Sequence, residues 1–518
     1  MRKSVFTIGS YSLISRITGF IRDMMIAAAM GAGVLTDIFF VAFKLPNFFR
    51  RLFGEGAFNA AFVPMFSAKL SSQGKEKAKL FAENIFAVMF FFLLALIAVF
   101  EIFMPLFMLV FAPGFASQPE NFDLAVYLTR ITFPYLFFIC MVAMMSGVLN
   151  SLHKFAIAAS APIFLNISLI SALIFFADKT ETPAHALAWG VIAAGIIQFA
   201  WLYFACRRAG LPLSLKIPKM DPEVKKMIKL MIPGIIGAGI VQINLWIDTI
   251  IGTFIPKAIS YLYYADRINQ FPLGVIGVAV GTALLPLLSK QVEKGDKKEA
   301  IKSMNKALGL AMFLVIPCAV GALVVAEPVV AALYQRGAFD YEATRATAYA
   351  LMAYAIGLPA FVMIKVFTPG FFSVHDTTSP LKIAVMSVVI NILLCLILVF
   401  FFKAIGFYPH VGIALATGIA AWINVFQLVR ILKMDGRFVP DYELNTKIMK
   451  IIGASLAMGA VAFITWRYLQ QAFFSSEHER IVSLCIILAL SAITFFVITI
   501  KTKAVSIAEL KNLRRKKK

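Results

Sequence analysis

Phe86-Ala-Val-Met-Phe-Phe-Phe-Leu-Leu-Ala-Leu-Ile-Ala-Val-Phe100 begins an apolar block that continues to Leu109. Blocks of similar length cover Ile157–Phe176 and Ile383–Phe402. The hydrocarbon core of a bilayer is about 30 Å thick, and a helix of about 20 residues crosses it. Because lipid offers no partner to backbone N–H and C=O groups, each block must be helical. The blocks therefore predict an all-α, polytopic membrane protein.

The composition supports this class and argues against several others. Of the 518 residues, 61% are hydrophobic and 15% are charged, whereas soluble domains carry about 25% charged residues. The five cysteines form no Cys-X-X-Cys pair, the five histidines form no metal-binding pattern, and no Walker motif for nucleotides is present. We therefore expect no metal, no resident cofactor and no catalytic residues, and no hydrolysis of ATP through such a motif.

Hydropathy and charge together predict fourteen membrane spans. Most of the 49 lysines and arginines lie in one alternate set of loops, and few lie in the other set. The positive-inside rule places the cation-rich loops, and with them both termini, in the cytoplasm. The basic tail Arg514–Lys518 is interpreted as a topology and anionic-lipid anchor, and nucleic acid is disfavoured because no base-reading module accompanies it. The predicted spans are residues 5–30, 34–53, 83–111, 123–151, 157–177, 184–206, 227–255, 259–289, 305–334, 344–373, 381–402, 409–430, 447–469 and 480–500.

An internal repeat divides the chain. Phe62-Val-Pro-Met-Phe-Ser-Ala-Lys69 resembles Leu284-Leu-Pro-Leu-Leu-Ser-Lys-Gln291, six spans later. An offset of six spans preserves orientation, so we predict two parallel six-helix lobes with a substrate site between them, followed by two extra C-terminal helices. Single residues recur with a similar offset: Pro134, His153 and Asn166 correspond to Pro359, His375 and Asn391. The predicted domains are an N-terminal lobe (1–220), a C-terminal lobe (221–440), and spans 13 and 14 with the basic cytoplasmic tail (441–518).

Span 1 carries charges at a depth where lipid disfavours them. Arg16, Arg22 and Asp23 share an arc of about 120° on the helix with small polar residues, and apolar side chains occupy the other side. Arg16 lies about 11 residues, roughly 16 Å, from the inner end of the span, which is too deep for easy snorkelling. Such a helix is expected to line a water-filled cavity. The alternative is a buried structural pair between Asp23 and one of the arginines.

Spans 2 and 8 add further charges to this predicted cavity. Asp37 and Lys44 are seven residues apart and share a face of span 2, Arg50 follows them, and span 8 contributes Arg267. The cavity is therefore expected to be net cationic, which suits a phosphorylated anion because guanidinium groups bind oxygens bidentately. Lys365 in span 10 could belong to the same set or be structural.

A separate pair of residues could couple transport to an ion. Asp248 in span 7 stands apart from the cations in the sequence pattern, and Asn391 in span 11 could supply a second oxygen. A carboxylate inside the membrane can bind Na⁺ or carry a proton. The alternative for Asp248 is a structural, hydrogen-bonded role.

The motifs resemble one known family. Ser15-Arg-Ile-Thr-Gly-Phe-Ile-Arg-Asp23 and the segment from Thr36 to Phe58 are similar to the MurJ (MviN) lipid II flippase family of the multidrug/oligosaccharidyl-lipid/polysaccharide exporter superfamily. Phe62-Val-Pro64, Ala265-Asp-Arg267 and Phe271-Pro-Leu-Gly274 agree with it, as do the length and the order of the motifs.

The resemblance implies a two-lobed exporter fold that works by alternating access without covalent chemistry. The implied substrate is lipid II, undecaprenyl-pyrophosphate-linked MurNAc-pentapeptide-GlcNAc, carried from the cytoplasmic to the periplasmic leaflet. Spans 13 and 14 would form a groove for the polyprenyl tail. Positions that match the family's essential charged residues are Arg16, Arg22, Asp23, Asp37, Arg50 and Arg267. Lys44 completes our set of predicted substrate-binding residues.

Other functions compete with this prediction. A flippase for another polyprenyl-linked oligosaccharide uses the same mechanics, and a drug or cation antiporter is disfavoured because it would need a cavity of the opposite charge. A polyprenyl-phosphate glycosyltransferase would require paired loop carboxylates such as Asp-Asp-X-X-Asp, which the sequence lacks. A scaffold for cell-wall synthases would not need a polar face deep in span 1. We expect a monomer in the inner membrane, surrounded by membrane lipids, with cell-wall synthases as candidate partners.

Overall fold

The computed structural model describes residues 2–54, 56–473 and 476–504, and every regular element in that part of the chain is helical. This confirms the all-α prediction. The predicted role of the tail Arg514–Lys518 falls outside the described residues. The helices are α1 (Arg2–Met30), α2 (Val34–Phe53), α3 (Ala57–Ser72), α4 (Gly74–Ile102), α5 (Met104–Phe111), α6 (Pro119–Thr132), α7 (Tyr135–Ser151), α8 (Phe155–Phe176), α9 (Pro183–Arg208), α10 (Pro222–Thr253), α11 (Ala258–Pro272), α12 (Val278–Glu293), α13 (Lys297–Val324), α14 (Ala326–Tyr334), α15 (Tyr341–Phe372), α16 (Thr378–Ala404), α17 (His410–Met434), α18 (Tyr442–Phe473) and α19 (Glu477–Lys501).

Ten segments in the described residues are helical, long and apolar enough to cross a membrane. They correspond to predicted spans 3 to 6 and 9 to 14. The other four predicted spans fall on α1, α2, α10 and the α11–α12 segment, which carry most of the polar residues assigned above to transport. The chain is thus a multi-pass membrane protein, and the total of fourteen spans stays a prediction.

The helix boundaries differ from the prediction in several places. Span 3 is divided between α4 and α5, and span 9 is divided between α13 and α14. The region between spans 2 and 3 was expected to be a loop, but residues 57–72 form α3, whose Phe58, Phe62 and Phe66 rings stack one turn apart. Span 4 is divided between α6 and α7 near Pro134. A π-helical turn, Leu273–Gly277, separates α11 from α12.

The helices group into two compact units, residues 1–260 with 336–339, and residues 261–335 with 340–518. In unit 1, α8 packs against α1 and α9, and α10 packs against α2 and α3. Helices α8 and α9 approach closely at Gly190, where an added Cβ would lie 2.8 Å from the Ala172 methyl carbon. Small residues at such crossings are usual in membranes, where packing drives helix association. The predicted boundaries at residues 220 and 440 stay predictions.

Unit 1 also includes a short segment from far along the chain. The N–H of Ala338 donates a hydrogen bond to the carbonyl of Ala28 at 2.8 Å, beside the end of α1. Gly31 has a φ of +64°, and a Cβ there would lie 2.3 Å from the Ala338 carbonyl oxygen. Only glycine therefore fits this turn.

In unit 2, α15 lies against α13 and α17, and α18 lies against α13 and α19. Glycines again allow the closest crossing: a Cβ on Gly357 would lie 2.6 Å from the Cα of Gly418. The buried core of this unit includes Leu308, Val366 and Phe367. The final two helices therefore pack on the second unit.

Local geometry recurs at corresponding positions of the repeat. His153 and His375 both have left-handed backbones, with φ of 59° and 61°. Asn84 donates to the carbonyl of Lys219 and to Asp221, and Asn305 donates to the carbonyl of Val439 and to Asp441. The same connection is thus built twice, which supports the internal repeat.

Candidate functional site

Helix α1 presents its predicted charges in two different environments. The side chain of Arg16 is exposed, and within the described residues its guanidinium forms no hydrogen bond or ion pair. Arg22 is 4% exposed and Asp23 is 1% exposed. The apolar face of the helix, including Leu13 and Ile17, is exposed as expected for contact with lipid. The first arginine is therefore accessible to a solute, and the second is enclosed by protein.

Arg22 is held by two partners. Its Nε and Nη2 donate to Oδ1 of Asp23 at 3.0 and 2.6 Å, and its Nη1 donates to Oδ1 of Asn166 at 2.9 Å. Asn166, on α8, donates through Nδ2 to the carbonyl of Ser15 and to the hydroxyl of Thr18. This amide therefore joins α1 to α8 and fixes the direction of the Arg22 guanidinium.

Sequence reasoning missed Asn166 as a site residue. Two signals could have identified it: an amide stands inside an otherwise apolar helix, and its repeat counterpart is the candidate ion ligand Asn391. The predicted alternative of a buried pair between Arg22 and Asp23 is the arrangement that the structure has. The partner of Asp23 is Arg22 rather than Arg16.

Asp37 is fully enclosed rather than exposed to an open space. It is 2% exposed, and its Oδ1 accepts hydrogen bonds from the backbone N–H and the hydroxyl of Ser260 at 2.7 and 2.6 Å. Ser260 lies in the first turn of α11. Carboxylates stabilise helix N-termini because the first N–H groups have no partner within the helix. Asp37 thus connects α2 to the start of α11 in this conformation.

Lys44 connects α2 to α10. Its Nζ donates to the carbonyl of Leu245 at 3.0 Å and to the hydroxyl of Thr249, and it lies 5.7 Å from the centre of the Trp246 ring. Asp248 belongs to the same turn of α10. The sequence pattern had placed Asp248 apart from the cations, whereas the structure places it on the turn that Lys44 contacts.

Arg50, the remaining predicted cation of unit 1, is half-buried at the end of α2. Its Nε donates to Oδ1 of Asn47 at 3.1 Å, and Nδ2 of Asn47 donates to the carbonyl of Phe43. Unit 1 therefore contains four of the five predicted substrate-binding cations, on two helices, and Arg16 is the exposed one among those four.

Unit 2 contains the other predicted residues. Arg267 is half-buried on α11, where its Nη2 donates to the Tyr263 hydroxyl at 2.8 Å and its guanidinium lies 5.0 Å from the centre of that ring. Asn391 is 1% exposed on α16 and accepts a weak contact from the Cys395 thiol at 3.8 Å. Lys365 is exposed on α15, beside Gly277.

The chemistry of these groups is that of anion binding by guanidinium and ammonium ions. Among the described residues, no three His, Cys, Asp or Glu side chains are grouped as metal ligands. The acids Asp23 and Asp37 are engaged by an arginine and by a helix start, so they position other groups. Among the five predicted substrate-binding cations, Arg16 is the exposed one in the described structure.

The fold has a counterpart among solved transporter structures. A solved structure described as an inward-facing multidrug resistance MATE family transporter of the MOP superfamily aligns with a TM-score of 0.66 at 13% identity, covering 83% of this chain and 99% of that one. At this identity the likeness concerns the fold alone. The chain therefore shares its fold with that transporter.

Comparisons of sequence identify the family of this chain more closely than the fold does. The sequence profile of the family described as Lipid II flippase MurJ matches residues 26–483. The Rhizobium tropici protein named "Probable lipid II flippase MurJ" is 43% identical over 463 residues, which cover 89% of this chain and 86% of that protein. A solved structure described as "Lipid II flippase MurJ, inward closed conformation" aligns with a TM-score of 0.77 at 27% identity, covering 95% of this chain and 98% of that one. The chain belongs to the MurJ lipid II flippase family.

Proposed function

We propose that this protein translocates lipid II from the cytoplasmic to the periplasmic leaflet of the bacterial inner membrane by alternating access. The family match over residues 26–483 is the observation that carries the proposal. The distribution of Lys and Arg among the loops supports an orientation with both termini in the cytoplasm. The protein acts without covalent chemistry, so it is a transporter and not an enzyme.

The diphosphate of the substrate is the part that the cationic residues would recognise. Arg16 is exposed, so its planar fork can approach a phosphate without first breaking a contact in the described residues. Arg22 lies six residues, roughly 9 Å, further along α1. Asp23 and Asn166 hold its guanidinium in one direction, which lowers the entropic cost of binding an anion. Arg22 and Arg267 stay the predicted diphosphate ligands.

Three residues have roles in positioning. Asp37 holds the start of α11 through Ser260, and Lys44 holds α10 through Leu245 and Thr249. Arg50 is oriented by Asn47. A transporter that changes conformation must exchange such contacts, and polar contacts between helices are suited to exchange because each partner can find another donor or acceptor.

The proposal includes no resident cofactor. The transport step would draw on the membrane potential or on an ion, with Asp248 and Asn391 as candidate ligands for Na⁺ or carriers of a proton. The protein would work as a monomer among membrane lipids, with cell-wall synthases as candidate neighbours and without nucleic acid.

Arg16 offers the clearest test because it is exposed and its replacement disturbs no packing. The Arg16→Glu protein should fail to restore growth to cells depleted of their own flippase. It should also fail to translocate lipid II in reconstituted vesicles. Lys179→Glu is a matched control, since Lys179 is an exposed cation in the 177–182 connection of the same unit. Normal translocation by a stably expressed Arg16→Glu protein would overturn the assignment of Arg16.

The identity of the substrate is tested by measuring which lipid accumulates when this protein is depleted. Depletion of this protein should cause lysis and a build-up of lipid II. Loss of a surface polymer with intact lipid II export would instead identify another polyprenyl-linked oligosaccharide as the substrate and would overturn the proposal.

A further inference from the structure

The connection between α9 and α10 is a strap, residues 209–221, that is fixed to the rest of unit 1 without being helical. Lys75 donates to the carbonyl of Ala209 at 3.0 Å, where the strap begins. Asn84 binds the backbone of Lys219 and the carboxylate of Asp221, where the strap ends. Both ends of the strap are therefore held by the N-terminal half of α4.

The middle of the strap is held by a buried carboxylate. Glu83 is 1% exposed, and its Oε1 accepts hydrogen bonds from the backbone N–H and the hydroxyl of Ser214. Its Oε2 lies 2.5 Å from Nζ of Lys216. Because Ser214 and Lys216 share this partner, they lie on the same side of the strap. The register of the strap is therefore fixed.

This register leaves apolar side chains without protein contacts that would cover them. Leu215 is 49% exposed and Ile217 is 83% exposed, in contrast to Leu211 and Leu213, which are buried. Met220 is 55% exposed. A fixed segment that projects large apolar side chains carries a free-energy cost in water, and contact with lipid removes that cost.

Exposed cations flank Leu215 and Ile217 along the sequence. Arg207, Arg208 and Lys219 are exposed, and within the described residues their side chains form no ion pair. The nearby acids are already engaged: Asp221 caps α10 and accepts from Asn84, and Glu223 pairs with Lys69 at 2.7 Å. The surface of the strap is therefore cationic as well as apolar.

We propose that the strap is a binding surface for anionic phospholipid of the cytoplasmic leaflet. Leu215 and Ile217 enter the boundary between headgroups and acyl chains, and Arg207, Arg208 and Lys219 contact the headgroup phosphates. Apolar side chains flanked by cations prefer an anionic membrane interface. Burial of the apolar area and attraction of the cations to the headgroups both favour it. A protein partner is less well matched, since the few apolar side chains fall short of the area that a stable protein interface buries. The proposal rests on the cytoplasmic placement of this loop and not on the identity of the transported substrate.

The contact can be measured with a fluorophore that reports its surroundings. Ile217→Cys is labelled in the full-length protein after the two exposed native cysteines are replaced, as Cys318→Ser and Cys485→Ser. The protein is placed in nanodiscs of phosphatidylcholine alone or with phosphatidylglycerol. In the anionic discs we expect the emission of the label to shift to the blue and to be quenched by lipid-borne quenchers. Both effects should be smaller in the neutral discs. Gln73→Cys, an exposed polar position of the same unit, is the control and should report water in both.

The charges are tested in the same assay. Arg208→Gln and Lys219→Gln should each lower the apparent affinity for phosphatidylglycerol by about fivefold, since one cation near an anionic surface contributes about that much. A label at residue 217 that stays in water in both discs, or one equally buried in both, would overturn the proposal. Labelling of Ile217→Cys in intact cells by an impermeant reagent would also overturn it, because the strap would then face the periplasm. Translocation of lipid II is measured separately, so failure of the lipid contact is distinguishable from failure of the proposed transport.

Discussion

Asn166 of α8 accepts a hydrogen bond from Arg22 of α1 across 144 residues of sequence. The same amide donates to the carbonyl of Ser15 and to the hydroxyl of Thr18. A single side chain thus connects two helices and fixes the orientation of a buried arginine. Replacing it should affect stability and, under the proposed function, anion binding, and the two effects can be measured separately.

Asn166→Ala should lower the free energy of unfolding by about 1–3 kcal/mol, because it leaves buried polar groups without a partner. It should also slow lipid II translocation, since Arg22 loses one of the groups that orient it. Asn166→Asp keeps an acceptor for Arg22 and should retain more activity. Thermal unfolding and vesicle translocation of the three proteins provide the comparison. Equal translocation by Asn166→Ala and the parent protein would remove Asn166 from the site.

Gly31→Ala should release the segment 336–339 from the end of α1. The added Cβ would lie 2.3 Å from the Ala338 carbonyl oxygen, and alanine disfavours a φ of +64°. Hydrogen–deuterium exchange at Ala338, whose N–H is bonded to Ala28, should become faster. Gly33→Ala is the matched control, because an added Cβ there meets nothing within 4 Å. Unchanged exchange in Gly31→Ala would contradict the close approach.

Lys44→Met should loosen α2 from α10. The methionine keeps the apolar stem but cannot donate to the Leu245 carbonyl or to Thr249. A double-mutant cycle of Lys44→Met with Thr249→Val should give a coupling free energy of roughly 0.5–3 kcal/mol, as is usual for residues in contact. Lys365→Met, an exposed lysine elsewhere, should change the stability by less than about 0.5 kcal/mol. Strict additivity in the Lys44–Thr249 cycle would show that the contact does not stabilise the fold.

Glu83→Ala should make the strap at residues 209–221 sensitive to trypsin. Loss of the buried carboxylate frees Ser214 and Lys216, and the enzyme cleaves after the lysines of the strap. Limited proteolysis followed by mass spectrometry would locate the cut. Asn305→Ala disrupts the unit 2 counterpart of the Asn84 contact and should leave cleavage after Lys216 unchanged. Resistance of the strap in Glu83→Ala would mean that other contacts hold it.

The fold class was predictable because a long apolar block can satisfy its own backbone hydrogen bonds in lipid only as a helix. Helix α3 was missed, although Phe58, Phe62 and Phe66 recur at helical spacing, because the segment also holds Pro64 and ends in polar residues. The interruption at Leu273–Gly277 has no periodic signal of its own. Element types followed from the length of the apolar blocks, whereas their interruptions depend on packing.

The site was predictable only where partners are neighbours in sequence. Arg22 and Asp23 are adjacent, so their pairing could be weighed from the sequence. Ser260 as the partner of Asp37, and Asn166 as the partner of Arg22, are distant in sequence and have no local pattern. The assignment of the substrate-binding residues stays a prediction that the variants above address.

The long separation between Arg22 and Asn166 has a consequence for biosynthesis. At a translation rate of about 5–20 residues per second, α8 follows α1 by roughly 7–30 seconds. During that delay the nascent helix holds a guanidinium whose amide partner does not yet exist, with Asp23 beside it from the start. The adjacent carboxylate offsets the charge locally, so the ribosome can deliver α1 to the membrane before α8 has been made.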